Sequence, residues 1–395
     1  MPPTTPQALI DDEAAARHVA GVERTIAVTG GGYWPTLLAL PDGTLAAVTR
    51  GGSPHLGLRS RLDLVRSSDG GRRWSAPETI VPSIPGVDVR GASAGVMADG
   101  SVVVAYWEDT RYRGERFDPA VGACTPYTIR SDDGGRTWSA KRPLVCPPLP
   151  HGAAVYGRMA VLPDGTAMTI VYGPADDRRT TQASCLLRSR DHGRSWSDAT
   201  VIAHDTTEGT VLAAGDGRLL AFLRTTDPDV SRDGATVLST SDHGGRTWGE
   251  PVALTRPHQH PADACVLASG AVLLTYGNRL GPLAVGAMLS DDGGRTWDRD
   301  GRVVLAADTM TLRDKPWGDC GYPSTVQLDD GTILTLYYRL GHAGLPEAER
   351  QRCRQYERDM VETPPPSQDM RRFEQAVCLR YTEAQLRGVA DGVER

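Results

Sequence analysis

Ser67–Trp74 reads SSDGGRRW, and the same frame, S-x-D-x-G-x-x-W, returns four times. It reads SDDGGRTW at Ser131–Trp138, SRDHGRSW at Ser189–Trp196, SDHGGRTW at Ser241–Trp248 and SDDGGRTW at Ser290–Trp297. In the fourth copy His243 holds the Asp slot and Asp242 sits one place early. A fixed motif recurring about every 50 to 65 residues marks stacked sheet modules, none of which buries its own apolar face alone. The residues of the motif suit a tight turn. Asp and Ser bond backbone N–H groups, Gly accepts positive φ, and Trp packs between sheets. The expected role of these Asp side chains is therefore structural and not catalytic.

A second signal interleaves with the first. Apolar runs are broken at Asp42–Gly43, Asp99–Gly100, Asp164–Gly165, Asp216–Gly217, Ser269–Gly270 and Asp330–Gly331, as in ALPDGTLAAV. Asp-Gly between strand-forming residues predicts a two-residue β-hairpin. Each unit then reads as a hairpin, a third strand, the Asp motif and a fourth strand. Six hairpins predict an all-β, six-bladed propeller. The sixth unit has no Asp motif, and its last strand is expected in EQAVCLRYTEAQL near residue 380. The expected layout is an N-terminal segment at 1–24 and one propeller domain over 25–390. Within it an insertion at about 341–372 holds a helix at 346–362, between Pro346 and the PPP at 364–366.

Composition narrows the function. A net charge of −6 and a pI near 5.9 provide no basic footprint for nucleic acid. No apolar stretch reaches the roughly 18 residues of a membrane span. The first residues, MPPTTPQALIDDEAAARHVAG, lack a basic start followed by an apolar core, so a cytoplasmic location is expected. Seven cysteines, an odd number without paired spacing, suit reduced thiols. Neither cofactor nor metal is expected. His258 and His260 form an H-x-H near Asp263, but zinc wants more ligands at matched spacing; hydrogen bonds to sugar hydroxyls suit them better.

The hairpins index the central pit. Nine residues before each turn Gly lie Trp34, Gly91, Tyr156, Glu208, Pro261 and Tyr322; seven after it lie Arg50, Trp107, Tyr172, Arg224, Gly277 and Tyr338. Two-residue loops would put both rings at one mouth, with Tyr322 facing Arg339, Arg50 facing Pro35 and Glu208 diagonal to Arg224. Trp107, Glu108, Asp109 and Arg111 would rim it, and Trp317 and Asp319 would add wall. A mouth gathering a carboxylate, arginines and phenols predicts a small anionic or polyhydroxyl ligand, a small carbohydrate. The oligomeric state is left open.

The Asp motifs, the six hairpins and this mouth resemble the sialidases over nearly the whole chain. Sialidases release a terminal sialic acid, using a Tyr nucleophile, a Glu partner, three arginines around the sugar carboxylate and an Asp acid/base. The resemblance implies that Tyr322, in GYPSTVQLDDGTILTLYY, is the nucleophile, with Pro323 intruding before Ser324. It implies that Glu208, in TTEGTVLAAGDGRLLAFLR, takes the phenolic proton. Arg224 and Arg279 fall at the second and third arginine positions. Two positions depart from the family. Its first arginine lies in a Phe-Arg-Ile-Pro motif, where this chain has Gly32-Tyr33-Trp34-Pro35. Its acid/base Asp lies after the first hairpin, where TRGGSPHLGLRSRLDLV has no Asp before Asp63. Arg50 and Arg90 are candidate replacement cations, and His55 a candidate proton donor. Tyr33, Trp34, Tyr156, His260 and Arg339 complete the expected binding surface.

These residues imply an exo-glycoside hydrolase acting on a terminal acidic sugar. Two alternatives stay open: a uronide or polysaccharide lyase on the same propeller, in which Tyr322 or a histidine removes a proton beside a held carboxylate, and a carbohydrate-binding propeller without turnover.

Overall fold

A computed structural model describes residues 6–309, 320–340 and 374–388, apart from 54, 228, 230–233 and 282. The helix expected at 346–362, the insertion at 341–372 and the wall residues Trp317 and Asp319 lie outside the described residues.

Apart from a short hairpin of Tyr112–Arg113 with Arg116–Phe117, the described strands form six sheets, each built on an antiparallel blade. Blade one is Gly31–Ala39, Leu45–Gly51, Arg61–Ser67 and Glu78–Val81, each strand pairing with the next. Blade two is Asp88–Val96, Val102–Asp109, Cys124–Ser131 and Arg142–Pro143. In blade three, Ala154–Val155 and Ala160–Val161 both pair with Ala167–Pro174, followed by Gln182–Ser189 and Ser197–His204. Blade four is Thr206–Ala213, Leu219–Thr225, Thr236–Ser241 and Val252–Ala253. Blade five is Gln259–Val266, Val272–Asn278, Val285–Ser290 and Val303–Ala306. The first strand of each blade touches those of its neighbours, which makes it the inner wall of a closed ring.

Blade six differs from expectation. Cys320–Gln327 and Ile333–Leu340 form its hairpin and Glu374–Tyr381 follows, but the outermost strand is Glu23–Thr29. The segment expected to end the blade at residue 380 is thus its third strand, and the ring is closed by a strand from the start of the chain. Sequence adjacency carries no trace of a pairing that spans the whole propeller. Ahead of this strand, Pro6–Ala14 is helical and Arg17–His18 pairs in parallel with the outer strand of blade five. Glu13, at the helix end, is buried against Arg302 and Asn278.

The Asp motifs are turn locks. Ser67 Oγ accepts from Gly71 N and donates to Asp69 Oδ1, both at 2.9 Å; Asp69 Oδ1 accepts from Arg73 N, and Trp74 Nε1 donates to Gly71 O. In the fourth copy His243 Nδ1 and Thr247 Oγ1 lie 2.9 Å apart where the Asp bond would be. An arginine on a neighbouring blade caps each of these turns. Arg66 reaches Gly134 O, Arg130 His192 O, Arg188 Gly244 O, Arg218 Gly293 O and Arg380 Gly70 O. The repeats therefore fasten each sheet to the next as well as folding their own.

The Asp-Gly turns hold three residues, not two. Leu40 N bonds Thr44 O and Gly43 N bonds Leu40 O, leaving Pro41, Asp42 and Gly43 as the loop. Gly43 has φ +81°, and Asp42 Oδ1 accepts from Thr44 N. This is the type I turn closed by a left-handed Gly, and the same backbone bonds recur at the other five hairpins. The extra loop residue moves every cross-strand pairing by one place, with consequences at the mouth.

Candidate functional site

The inner strands carry a second irregularity near the mouth. The ladder of blade one skips between Tyr33 and Thr36, that of blade two between Arg90 and Ser93, that of blade four between Thr207 and Gly209, and that of blade six between Gly321 and Ser324. Trp34, Gly91, Glu208 and Tyr322 are the first residues in these gaps. Trp34 and Tyr322 take φ of 49° and 51°, the left-handed region that non-glycine residues rarely adopt. A bulge re-aims a side chain, and strain of this kind concentrates at ligand sites.

Loop length and bulge together change the register. Arg339 pairs with Cys320, not Tyr322, and bonds Asp308 and Gln375. Arg50 pairs with Tyr33, not Pro35. It is wholly buried, with Asp88 Oδ1 at 2.6 Å and the carbonyls of Val89 and Ser53 at 3.2 Å. Arg50 and Arg339 are thus internal braces and do not reach the open mouth. Tyr33 is buried and donates to Glu374 Oε1 at 3.1 Å. His260 is buried beside Gly234 and Arg224 and does not line the cavity.

Six expected residues do line one cavity of about 410 Å³: Trp34, His55, Arg90, Tyr156, Glu208 and Tyr322. Glu208 is their hub. Tyr322 Oη donates to Glu208 Oε1, and Arg224 Nη1 donates to Glu208 Oε2 at 2.9 Å. The Arg279 guanidinium lies 5.5 Å from the centre of the Tyr322 ring. Burial opposes ionisation of Glu208, but Arg224, the Tyr322 hydroxyl and Arg279 outweigh it and hold the carboxyl below its ordinary range. Burial, with the Glu208 charge beside it, pushes the Tyr322 phenol well up, against Arg279 and Arg224. Carboxylate and neutral phenol thus share one hydrogen bond at neutral pH. Tyr156 meets Tyr322 edge-on at 4.9 Å, and His55 meets Trp34 edge-on at 5.1 Å.

Trp107 and Arg111 rim the cavity as expected, whereas Glu108 turns to Lys141 at 2.7 Å. Tyr172, Cys124, His151, Arg179 and Gln182 also line it. Tyr172 stands in the indexed ring, but the other four come from strand starts and loops that no motif marks. Burial raises the Cys124 thiol to about 12, so it is no nucleophile at neutral pH. Two buried anchors stand behind the wall: Asp88, which the sequence reading did not single out, and Asp109, which it placed on the rim. Asp88 binds Arg50, Ser60 Oγ at 2.7 Å and Tyr112 Oη at 2.6 Å, while Asp109 holds Arg111 through two 2.8 Å bonds. Their signal was an Asp at each end of the blade-two hairpin, in VDVRG and WEDTR. Among the described residues no group of three or more His, Cys, Asp or Glu is placed to hold a metal ion, and no helix is long and apolar enough to cross a membrane.

Residues 115–335 match the model of the BNR repeat-like domain. The chain belongs to that family. With the six-bladed ring, it is a divergent member of the sialidase superfamily. This BNR repeat-like protein is 25% identical over 345 residues to a sialidase of Micromonospora viridifaciens, a match covering 77% of this chain. It spans about half, 49%, of that relative's length. Among solved structures, a Dyadobacter fermentans protein of unknown function superposes with a TM-score of 0.70 at 22% identity, over 92% of this chain and 99% of that one. The intramolecular trans-sialidase of Ruminococcus gnavus, solved with oseltamivir carboxylate, superposes with a TM-score of 0.62 at 15% identity, over 94% and 99%. At such identities the likeness is one of fold.

Proposed function

We propose that this propeller is an exo-glycoside hydrolase for a terminal acidic sugar, with Tyr322 as nucleophile and Glu208 as its base. The Tyr322–Glu208 hydrogen bond, flanked by Arg224 and Arg279, carries this reading. A phenol near pKa 10 is a poor nucleophile until a base takes its proton, and the bonded carboxylate stands at the hydroxyl. A neutral phenol also approaches an anomeric carbon bearing a carboxylate without the repulsion a second carboxylate would meet; sialidases use tyrosine in this role.

In the first step Tyr322 Oη bonds to the anomeric carbon as the glycosidic C–O bond breaks. The phenolic proton passes to Glu208. The leaving oxygen takes a proton from His55, which shares the cavity wall. In the second step water attacks the glycosyl-tyrosine and gives a proton to His55, while Tyr322 leaves and recovers its proton from Glu208. Arg224 and Arg279 hold the sugar carboxylate.

The test is turnover of a fluorogenic sialoside beside a panel of uronic-acid glycosides, with Tyr322→Phe as control. Sialoside cleavage lost in the variant supports the reading and names the sugar. Tyr322-dependent release from another acidic glycoside keeps the mechanism and changes the substrate. Products absorbing near 235 nm would replace hydrolysis with elimination, and silence on every glycoside would leave a binding module.

A further inference from the structure

Among the described residues, the charges behind the cavity wall do not balance. Three guanidiniums, of Arg50, Arg90 and Arg111, meet two buried carboxylates, of Asp88 and Asp109. Arg50 takes Asp88 at 2.6 Å and Arg111 takes Asp109 at 2.8 Å. Arg90 is left at 3.7 Å from Asp88 and 3.6 Å from Asp109, beyond the range of a normal hydrogen bond. Its Nε is buried without a hydrogen-bond partner among the described residues. Yet Arg90 is held firmly. Its guanidinium lies against two indoles, 5.0 Å from the centre of the Trp34 ring and 4.6 Å from that of Trp107, and it lines the cavity. Arg179 adds further positive charge to the same wall.

A cation packed against aromatic rings keeps its in-plane N–H groups for whatever enters. Burial makes those donors costly to leave unmet. We infer that Arg90 forms an oxyanion-binding subsite on the blade-two side of the Tyr322–Glu208 pair, separate from the Arg224–Arg279 side. Its ligand is a carboxylate or a sulfate or phosphate ester. The assignment of that oxyanion to the substrate rests on the glycosidase reading above and makes the substrate an acidic sugar with a second anionic substituent. The presence of an anion site does not depend on that reading.

The test is a titration with inorganic sulfate at constant ionic strength, balanced with chloride and followed by intrinsic tryptophan fluorescence. Saturable binding is expected in the native protein and unchanged in Tyr322→Phe, so that absence of turnover leaves the test intact. Trp107→Phe identifies the reporter. Arg90→Met is expected to weaken binding at least tenfold. If that variant does not fold, Arg90→Lys serves, with at least a threefold weakening expected because an ammonium lacks the planar fork. A response no greater than that to chloride, or native affinity in the folded Arg90 variant, overturns the subsite. For the substrate assignment, sulfate must inhibit glycoside turnover competitively with a constant matching its fluorescence Kd. Failure to compete places the anion outside the substrate's path and overturns that assignment alone.

Discussion

Replacing Glu208 with Gln tests the proposed chemistry at its hub. The substitution keeps the shape and one acceptor oxygen, enough for Tyr322 Oη or Arg224 but not both, and removes the charge. The neighbouring Glu208 charge is one of the causes that raise the Tyr322 phenol, so the variant phenol moves down towards its ordinary range. Even a fully ordinary phenol, near pKa 10, is ionised in only about one molecule in a thousand at pH 7. Without a base, attack must draw on that fraction, a penalty of roughly a thousandfold, within the 10²- to 10⁴-fold typical of general-base catalysis. The expected outcome is therefore a fall in kcat of about a thousandfold with KM changed much less. It is read in a steady-state assay with the glycoside that the native protein turns over best, and rates should rise with pH towards 10 as the phenolate accumulates. Circular dichroism checks that the fold persists. A kcat within tenfold of native, or a rate loss without this alkaline recovery, refutes the assignment of Glu208 as base.

Four further outcomes follow from the same geometry. Arg224→Met removes the largest influence lowering the Glu208 carboxyl, so the acid limb of the kcat/KM profile moves to higher pH; an unmoved limb separates Glu208 ionisation from activity. Asp88→Ala strands Arg50 in the interior and should cost about 3–5 kcal/mol in urea unfolding. Because Arg50 and Arg90 outweigh burial and lower the Asp88 carboxyl, the stability it provides is present above the unfolded pKa near 3.8 and is lost as pH falls below it. Gly91→Ala places a Cβ 2.4 Å from Trp107 Nε1 at a residue with φ +62°. The indole must shift, so KM for the glycoside should rise several-fold, measured with the native substrate. Asp133→Ala, in an Asp motif far from this cavity wall, should lower the melting temperature and leave kcat within twofold.

The sheet architecture was legible because its signals are local. Each Asp motif closes its own turn, and each Asp-Gly pair closes a hairpin between strand-forming apolar runs. Glu208, Arg224 and Tyr322 were legible because the hairpins index them to one mouth, and Arg279 through the resemblance to the sialidases. What was lost turned on single residues. A third loop residue and a bulge at the mouth were invisible in a pattern of apolar alternation, yet they moved Arg50 and Arg339 from the expected mouth into the interior. The Asp88–Arg50–Tyr112 cluster and the wall at His151, Arg179 and Gln182 depend on contacts between segments whose spacing follows no repeat. The outer strand of blade six was misread for the same reason, its partner lying at the opposite end of the ring.

That closure has a consequence for biosynthesis. Glu23 meets Arg380 across 357 residues, so the strand Glu23–Thr29 leaves the ribosome long before its partner exists. At about 5–20 residues per second, its edge waits roughly 20 to 70 seconds, during which neighbouring chains on a polysome are the nearest source of an unpaired strand. The exposed side chains Glu23 and Arg24 on that strand place charge on the waiting edge, which discourages mispairing.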